Sequence, residues 1–118
     1  MSRHAVLILS ADPLAAALLG AALELAGHVA LFPQREESAR GALLRLRPRV
    51  VLVDCDHEEA CNEAFVGPAM MLGARVLLFA APGEGAAATG FAARLGLTIM
   101  ELPVDQEQLA SHLRAALA

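Results

Sequence analysis

The stretch that decides the fold is residues 47–54, RPRVVLVD, in which four apolar residues are followed at once by a carboxylate. A short, continuous apolar run of this kind predicts a strand that is buried on both faces of a parallel sheet. Asp54 then emerges at the carboxyl edge of the sheet, where open α/β folds place their chemistry. Asp54 is therefore the first candidate functional residue.

Strands and helices alternate on both sides of this run. The apolar runs predict five strands, at Ala5–Leu9, Val29–Phe32, Val50–Val53, Val76–Phe79 and Leu97–Met100. Helices are predicted after the caps Asp12 and Asp105, over Ser38–Leu46, around Glu59–Val66, and from about Ala86 to Leu95. This alternation predicts one α/β domain over residues 1–118, a flavodoxin-like, doubly wound, three-layer sandwich. Its five-stranded parallel sheet is expected to have the order 2-1-3-4-5.

Helical spacing predicts which side chains face the core. The inward residues expected for the first helix are Leu14, Leu18, Ala22 and Leu25, and those expected for the last helix are Leu109, Leu113 and Leu117. Asp105 and Gln108 are spaced as a capping box at the start of the last helix. Met70 and Met71 are assigned to the core, beneath a short helical piece that follows Gly67-Pro68.

Composition excludes several classes of function. The net charge is −4 and all nine basic residues are arginines, so a lysine-dependent mechanism is impossible and nucleic acid is not an expected partner. No apolar run is long enough to cross a membrane. Cys55 and Cys61 are expected to be reduced thiols in a cytoplasmic protein. The arginine-rich segment 40–49 and the acidic segment 54–63 are interpreted as two solvated faces, and a bipolar docking surface is the alternative.

This layout resembles the receiver domain of bacterial response regulators, from Ala5 to Leu117. The resemblance rests on the order of the elements, on residues 47–54, and on Leu102-Pro103 after the fifth strand. It implies a role in two-component signal transduction, and not an enzyme. In that family an aspartate at the end of strand three accepts a phosphoryl group from a histidine kinase in a phosphorelay, and Asp54 occupies that position.

Several positions depart from the family pattern. Ser10 and Ala11 stand where the family has an acidic pair that holds Mg²⁺, and Asp12 matches a third, less essential acidic position. Ala80 replaces the hydroxyl residue of strand four, and Leu102 replaces the lysine before the proline. The remaining departures are Ile99 for the aromatic residue of strand five and Glu58 for a proline after the phosphoacceptor.

These departures affect phosphoryl transfer directly, because the reaction depends on charge neutralisation by Mg²⁺ and by a cationic side chain. We therefore predict that Asp54 is not efficiently phosphorylated and that no cofactor is required. If Mg²⁺ does bind, the expected ligands are Asp12, Asp54 and Asp56. The loop at residues 54–59 is otherwise interpreted as a solvated acidic loop.

The leading hypothesis is a degenerate receiver, or pseudo-receiver, that signals through protein–protein contacts. In the family these contacts use the face formed by helix four, strand five and helix five. The residues expected on that face are Thr89, Phe91, Arg94, Ile99, Met100, Glu101, Gln108 and His112. Exposure of Phe91 or Met100 would support this hypothesis. The expected partner is a kinase, an effector, a regulator or a second copy of the chain, with no role for nucleic acid or membrane.

Two alternatives stay open at this point. The first is a working phosphoacceptor, in which Asp12 and Asp56 rebuild the Mg²⁺ site around Asp54. The second is a small α/β ligand-binding or enzymatic domain that uses Cys55 beside Asp54, which requires a concave pocket and a lowered thiol pKa. A stand-alone domain and a piece of a longer protein with an effector domain are equally compatible with the sequence.

Overall fold

A computed structural model describes residues 3–118 and shows a five-stranded, fully parallel sheet flanked by five α-helices. The strands are β1 (Ala5–Leu9), β2 (Val29–Leu31), β3 (Val50–Asp54), β4 (Arg75–Ala80) and β5 (Ile99–Glu101). The helices are α1 (Pro13–Leu25), α2 (Ala39–Leu46), α3 (Glu63–Met71), α4 (Thr89–Leu95) and α5 (Gln106–Leu117), with a 3-10 turn at Ala86–Ala88. The strand order is β2-β1-β3-β4-β5, which confirms the predicted fold class and topology.

The centre of the sheet is β3, which pairs with β1 on one side and β4 on the other. All five of its residues are buried, as the apolar run predicts for a strand covered on both faces. Successive residues of each strand point to opposite faces of the sheet, so their side chains pack in two separate apolar layers. One layer lies under α2, α3 and α4, and includes Leu43, Phe65, Val66 and Phe91. The other lies under α1 and α5, and includes Leu19, Leu23, Leu109 and Leu113.

The register of the strands brings three chain segments to one edge of the sheet. Leu9 at the end of β1 pairs with Val53, and Asp54 pairs with Phe79 in β4. The residues that follow these strands therefore meet at the carboxyl edge, so Ser10 and Asp54 become neighbours. This is the edge at which the sequence places the candidate site.

Local caps define where the helices begin. The Asp12 carboxylate accepts the N–H groups of Leu14 and Ala15, with Pro13 at the first helical position. Asp105 accepts the Gln108 N–H, and the Gln108 side chain accepts the Asp105 N–H. Both predicted caps are confirmed, since each satisfies N–H groups that have no partner within their helix.

The predicted inner face of α1 is wrong. Leu14, Leu18 and Leu25 are 68%, 63% and 83% exposed, while Leu19 and Leu23 are buried. Nearly every residue of α1 is apolar, so its spacing is compatible with more than one inward face.

A glycine lies on the inner face of α1. A Cβ added to Gly20 would lie 2.8 Å from the ring of Phe32, so a larger residue would require that side chain to move. The buried residues of α1 are Leu19, Gly20 and Leu23, which leaves Leu14, Leu18 and Leu25 on the solvent side.

The third helix also differs from prediction. It begins at Glu63, capped by Asn62, and continues through Gly67-Pro68 to Met71. Glu59, the predicted start, instead accepts the N–H of Ala39 at the start of α2. The residues between Asp54 and Asn62 form turns that are closed by bonds to the carbonyls of Asp54 and His57.

The core assignment of the two methionines is wrong as well. Met71 is 89% exposed and Met70 is only partly covered, so neither lies in the core as predicted. Both follow from the placement of α3, whose inward residues are Phe65, Val66 and Ala69.

Smaller corrections concern the ends of three elements. Strand β2 ends at Leu31, one residue before the predicted end. Strand β5 begins at Ile99 because Leu97 still donates its N–H to Ala92 in the closing turn of α4. The predicted helix at 86–95 consists of the 3-10 turn followed by α4. None of the helices over residues 3–118 combines the length and the hydropathy needed to cross a membrane.

The corrected face of α1 predicts two very different costs of truncation. We expect Leu23→Ala to lower the free energy of unfolding by about 2–5 kcal/mol, because it leaves a cavity in a close-packed core. Leu18→Ala should change it by less than about 0.5 kcal/mol, because Leu18 is on the surface. Urea denaturation of dilute protein measures both values, and equal losses would contradict the packing described here.

A pair of histidines at the opposite edge of the sheet predicts a pH dependence of stability. The His4 N–H donates to Nδ1 of His28 at 3.2 Å, and the two rings stack with centroids 5.6 Å apart. Burial, and then the charge of His4, lower the pKa of His28 in the folded chain.

The unfolded chain therefore binds this proton more readily than the folded chain does. The stabilisation is complete above the ordinary pKa of about 6.5, and is lost as the pH falls toward the lower folded pKa. Denaturation at a series of pH values should show this slope for the natural chain and a flatter one for His28→Gln. An unchanged slope in the variant would rule out His28 as the source.

Candidate functional site at the carboxyl edge

Asp54 lies at the end of β3 with only 8% of its surface exposed, and it is the one buried charged side chain among residues 3–118. Its Oδ2 accepts a hydrogen bond from the Ser10 hydroxyl at 2.7 Å. Its Oδ1 accepts the backbone N–H of Asp56 at 3.0 Å. Each carboxylate oxygen therefore has its own donor, as a buried charge requires.

The Ser10 side chain links two chain segments by hydrogen bonds. Its Oγ accepts the N–H of Asp12 at 3.1 Å and lies 2.7 Å from Asp54. The Asp12 carbonyl is also within 3.3 Å, but a hydroxyl has one proton and gives it to the shorter, charge-assisted contact. The proton therefore lies between Ser10 and the Asp54 carboxylate.

A shallow cleft of about 240 Å³ opens beside this hydrogen bond. The residues that line it are Ala11, Asp12, Ala15, Asp54, Asp56, Phe79, Ala81 and Leu102. The structure thus brings together the three carboxylates named from the sequence as Mg²⁺ ligands. No arginine is among the residues found to line this cleft.

The three carboxylates do not make a ligand set for Mg²⁺. Oδ1 of Asp12 accepts N–H groups of α1, and each oxygen of Asp54 accepts one hydrogen bond. Within residues 3–118, no group of three or more His, Cys, Asp or Glu side chains is arranged to hold a metal ion. Because Ser10 and Ala11 supply no carboxylate, the residues present do not fit the Mg²⁺ site that the resemblance implies.

The floor beside the cleft is apolar where a receiver would carry polar groups. Ala80 is buried at the end of β4. Gly85, with φ of +92°, approaches so closely that an added Cβ would lie 3.1 Å from Ala80 Cβ and 3.6 Å from Cys55 Sγ. The loop after β4 therefore closes onto Ala80, where the family has a hydroxyl.

The thiol next to Asp54 is not activated. Cys55 and Cys61 are free and half-buried. Burial, and next the neighbouring Cys61, raise the pKa of Cys55 to about 12. A nucleophilic cysteine requires a lowered pKa, so this finding contradicts the condition set for an enzyme that uses Cys55.

The surface predicted for protein contacts does not expose its large apolar side chains. Phe91 and Met100 are both buried, so the exposure that would have supported this face is absent. Met100 pairs with Phe79 in the sheet, and Phe91 packs into the layer under α4. Of the polar residues on that face, Arg94 donates from Nε to Glu63 at 3.0 Å.

The other members of that predicted face have mixed environments. Gln108 is used in the capping box of α5, Ile99 is half-buried and Glu101 is exposed. Their role in binding a partner stays a prediction.

One exposed apolar surface lies on α1, and Met71 and Leu72 at the end of α3 form another. Leu14 and Leu18 border a cleft of about 390 Å³ whose other wall includes Leu102 and Val104. These leucines were predicted to lie in the core, so their surface was not predicted. The sequence did contain a signal of this surface. Because α1 is apolar around its whole circumference, one buried face cannot cover all of its apolar side chains.

Comparisons with known proteins identify the fold. No described protein family and no curated protein sequence matches this chain. A response regulator receiver protein from Burkholderia phymatum aligns with a TM-score of 0.73 at 19% identity, over 96% of this chain and 94% of that one. The fold is that of a response regulator receiver domain.

Two further receiver-like structures extend this result. The receiver domain of a modulated diguanylate cyclase from Desulfovibrio desulfuricans G20 aligns with a TM-score of 0.74 at 25% identity, over 98% of this chain and 94% of that one. NtrX from Brucella abortus, solved in complex with ATP, aligns with a TM-score of 0.79 at 20% identity, over 98% of this chain. The chain spans only 27% of the length of NtrX, so it corresponds to one part of that protein.

The hydrogen bond from Ser10 to Asp54 predicts a loss of stability when Ser10 is truncated. We expect Ser10→Ala to lower the free energy of unfolding by about 1–3 kcal/mol, because a buried carboxylate oxygen loses its donor. The matched control is Ser111→Ala, on the exposed face of α5, which should be near neutral.

A double-mutant cycle tests whether the loss comes from the pair. Ser10→Ala, Asp54→Asn and the double variant are compared by chemical denaturation. A coupling of about 0.5–3 kcal/mol is expected for residues in direct contact. Additive losses would show that Ser10 and Asp54 do not interact.

Proposed function

We propose that this chain is a receiver-like domain of a two-component response regulator that acts through protein contacts, without efficient phosphorylation of Asp54. The observation that carries this proposal is the closed hydrogen bonding of Asp54 by the Ser10 hydroxyl and the Asp56 N–H. In a working receiver the position of Ser10 holds an acid, which repels the carboxylate until Mg²⁺ bridges them. Here the residue at the same position donates a hydrogen bond to the carboxylate.

Phosphorylation of this carboxylate would be costly at each stage. The attacking oxygen would have to lose a donor, and the incoming group would bring about two negative charges into a cleft that already holds Asp12 and Asp56. Enzymes that move phosphoryl groups offset such charge with Mg²⁺ and a cationic side chain. Leu102 stands where that cation would be, and the chain contains no lysine.

A role in protein contacts is supported by the surface of α1. Large exposed apolar patches rimmed by polar residues mark interaction sites on proteins of this size. Leu14, Leu18 and Leu25 form such a patch, whereas Phe91 and Met100 are covered. A kinase, an effector, another regulator or a second copy of the chain would fit this role, and a cytoplasmic location is part of the same proposal.

A working phosphoacceptor is the second candidate. It is favoured by one observation, that Asp12, Asp54 and Asp56 border the same cleft. In that case Mg²⁺ would bind carboxylate oxygens that the cap of α1 does not use, such as Oδ2 of Asp12.

The two candidates differ in a phosphorylation assay. The chain is incubated with acetyl phosphate and Mg²⁺, and the intact mass is measured for one added phosphoryl group. We expect the natural chain to react at least about 10²-fold more slowly than a receiver with complete machinery, since removal of even one charge-stabilising donor has that effect.

The informative control is a variant in which the missing groups are restored. Ser10→Asp, Ala11→Asp, Ala80→Thr and Leu102→Lys together return the acidic pair, the hydroxyl and the cation. Labelling of this variant that disappears on adding Asp54→Asn would show that the assay detects the site. Rapid, Asp54-dependent labelling of the natural chain would refute the proposal.

A further inference from the structure

The exposed side chains of α1 follow a pattern typical of helix–helix seams. Leu14, Leu18, Ala21 and Leu25 are separated by four, three and four residues, which is the spacing of core positions in a coiled coil. All four are exposed. The helix therefore carries a second apolar stripe, in addition to the one that contacts the sheet through Leu19 and Leu23.

This stripe has no charge to select a particular partner. No ionisable residue lies between Pro13 and Leu23. Glu24 is the only charged residue of the helix, and its side chain accepts the N–H of Ala30 at the start of β2. Specific pairing of different chains is usually set by charges beside an apolar seam, and the seam of α1 lacks them.

The stripe is also self-complementary when it is reversed. In an antiparallel pair centred between residues 18 and 21, Leu14 of one copy faces Leu25 of the other, and Leu18 faces Ala21. A large side chain then packs on a small one at the centre, and two leucines meet at each end. A two-fold axis requires this reciprocity, in which residue i contacts j and j contacts i.

Clefts at both ends of α1 enlarge the surface. The cleft beside Leu14 and Leu18 has a volume of about 390 Å³, and the one beside Leu25 has a volume of about 670 Å³ and includes Leu113 and Leu117 of α5. A stable interface needs about 800 Å² from each partner, more than four side chains supply. In the antiparallel pair, the two ends of α1 in one copy lie against these two clefts of the other.

We propose that the face formed by Leu14, Leu18, Ala21 and Leu25 is a homodimer interface, in which α1 pairs antiparallel with α1 of a second copy. This inference deepens the proposed role in protein contacts and rests on it. The failure of this inference can be distinguished from the failure of the proposed function. A chain that is monomeric and still not phosphorylated would contradict the dimer and leave the proposed function standing.

The first test is the oligomeric state of the full chain by sedimentation equilibrium. We expect a reversible dimer with a micromolar dissociation constant. Molar sodium chloride should change it little, because the stripe itself is uncharged and charges such as Asp12 and Arg114 occur only in the two clefts. Leu18→Glu should raise the dissociation constant on the order of 100-fold, since it places two unpaired charges in the seam.

The matched control is Leu44→Glu, which alters an exposed leucine (46%) on α2, away from α1. It should leave the dissociation constant unchanged. Circular dichroism establishes that both variants are folded. A chain that is monomeric at all concentrations, or a dimer that Leu18→Glu does not weaken, would overturn the proposal.

The second test determines the register. Leu14→Cys and Leu25→Cys are made separately in a Cys55→Ser, Cys61→Ser background, and disulfides are formed with oxidised glutathione, which takes up the two electrons released by two thiols. The mixture should give a disulfide between the two variants. Neither variant alone should link to itself, because identical positions in the antiparallel pair are about 16 Å apart along the helix. Self-linking of either variant would contradict the antiparallel arrangement.

Discussion

The hydrogen bond between the Ser10 hydroxyl and the Asp54 carboxylate joins the ends of the two central strands at the carboxyl edge of the sheet. It forms because β3 is apolar on both faces and must lie between β1 and β4, so that its terminal carboxylate emerges beside the residue that follows β1. A carboxylate that is 8% exposed cannot be left without donors. Ser10 and the backbone of Asp56 supply them, one to each carboxylate oxygen.

The loop after β4 packs closely at the same edge of the sheet. Gly85 brings this loop against Ala80 and Cys55, and burial raises the pKa of that cysteine instead of activating it. We infer that the surface available for function has moved to α1, which is packed on one side and apolar on the other.

Much of the fold was predictable because it depends on local patterns. The run 50–53 indicates the central strand, and the caps at Asp12 and Asp105 mark where helices begin because a side-chain oxygen at those positions satisfies nearby N–H groups. The proximity of Ser10 to Asp54 followed from strand order. The hydrogen-bond donor to each oxygen of the Asp54 carboxylate could not be predicted, since it depends on the turn that brings the Asp56 N–H back onto Asp54.

The wrong predictions share a different cause. The inner face of α1 depends on the packing of Leu19 and Leu23 against residues that are distant in the chain. The start of α3 was misplaced because Glu59 is used to bond the start of α2. In each case a tertiary contact chose between local arrangements that the residue pattern left equally favourable.

The most direct measurement is a titration with beryllofluoride, a mimic of the phosphoryl group, in the presence of Mg²⁺. Fluorine NMR detects the bound mimic, and the amide signals of Ser10 and Asp56 report on the two donors to Asp54. We predict no bound fluorine signal and no change at either amide, because Ser10, Ala11, Ala80 and Leu102 supply neither the carboxylates nor the hydroxyl and cation that hold such a group. A saturable signal that disappears in Asp54→Asn would show that the hydrogen bond from Ser10 does not close the site.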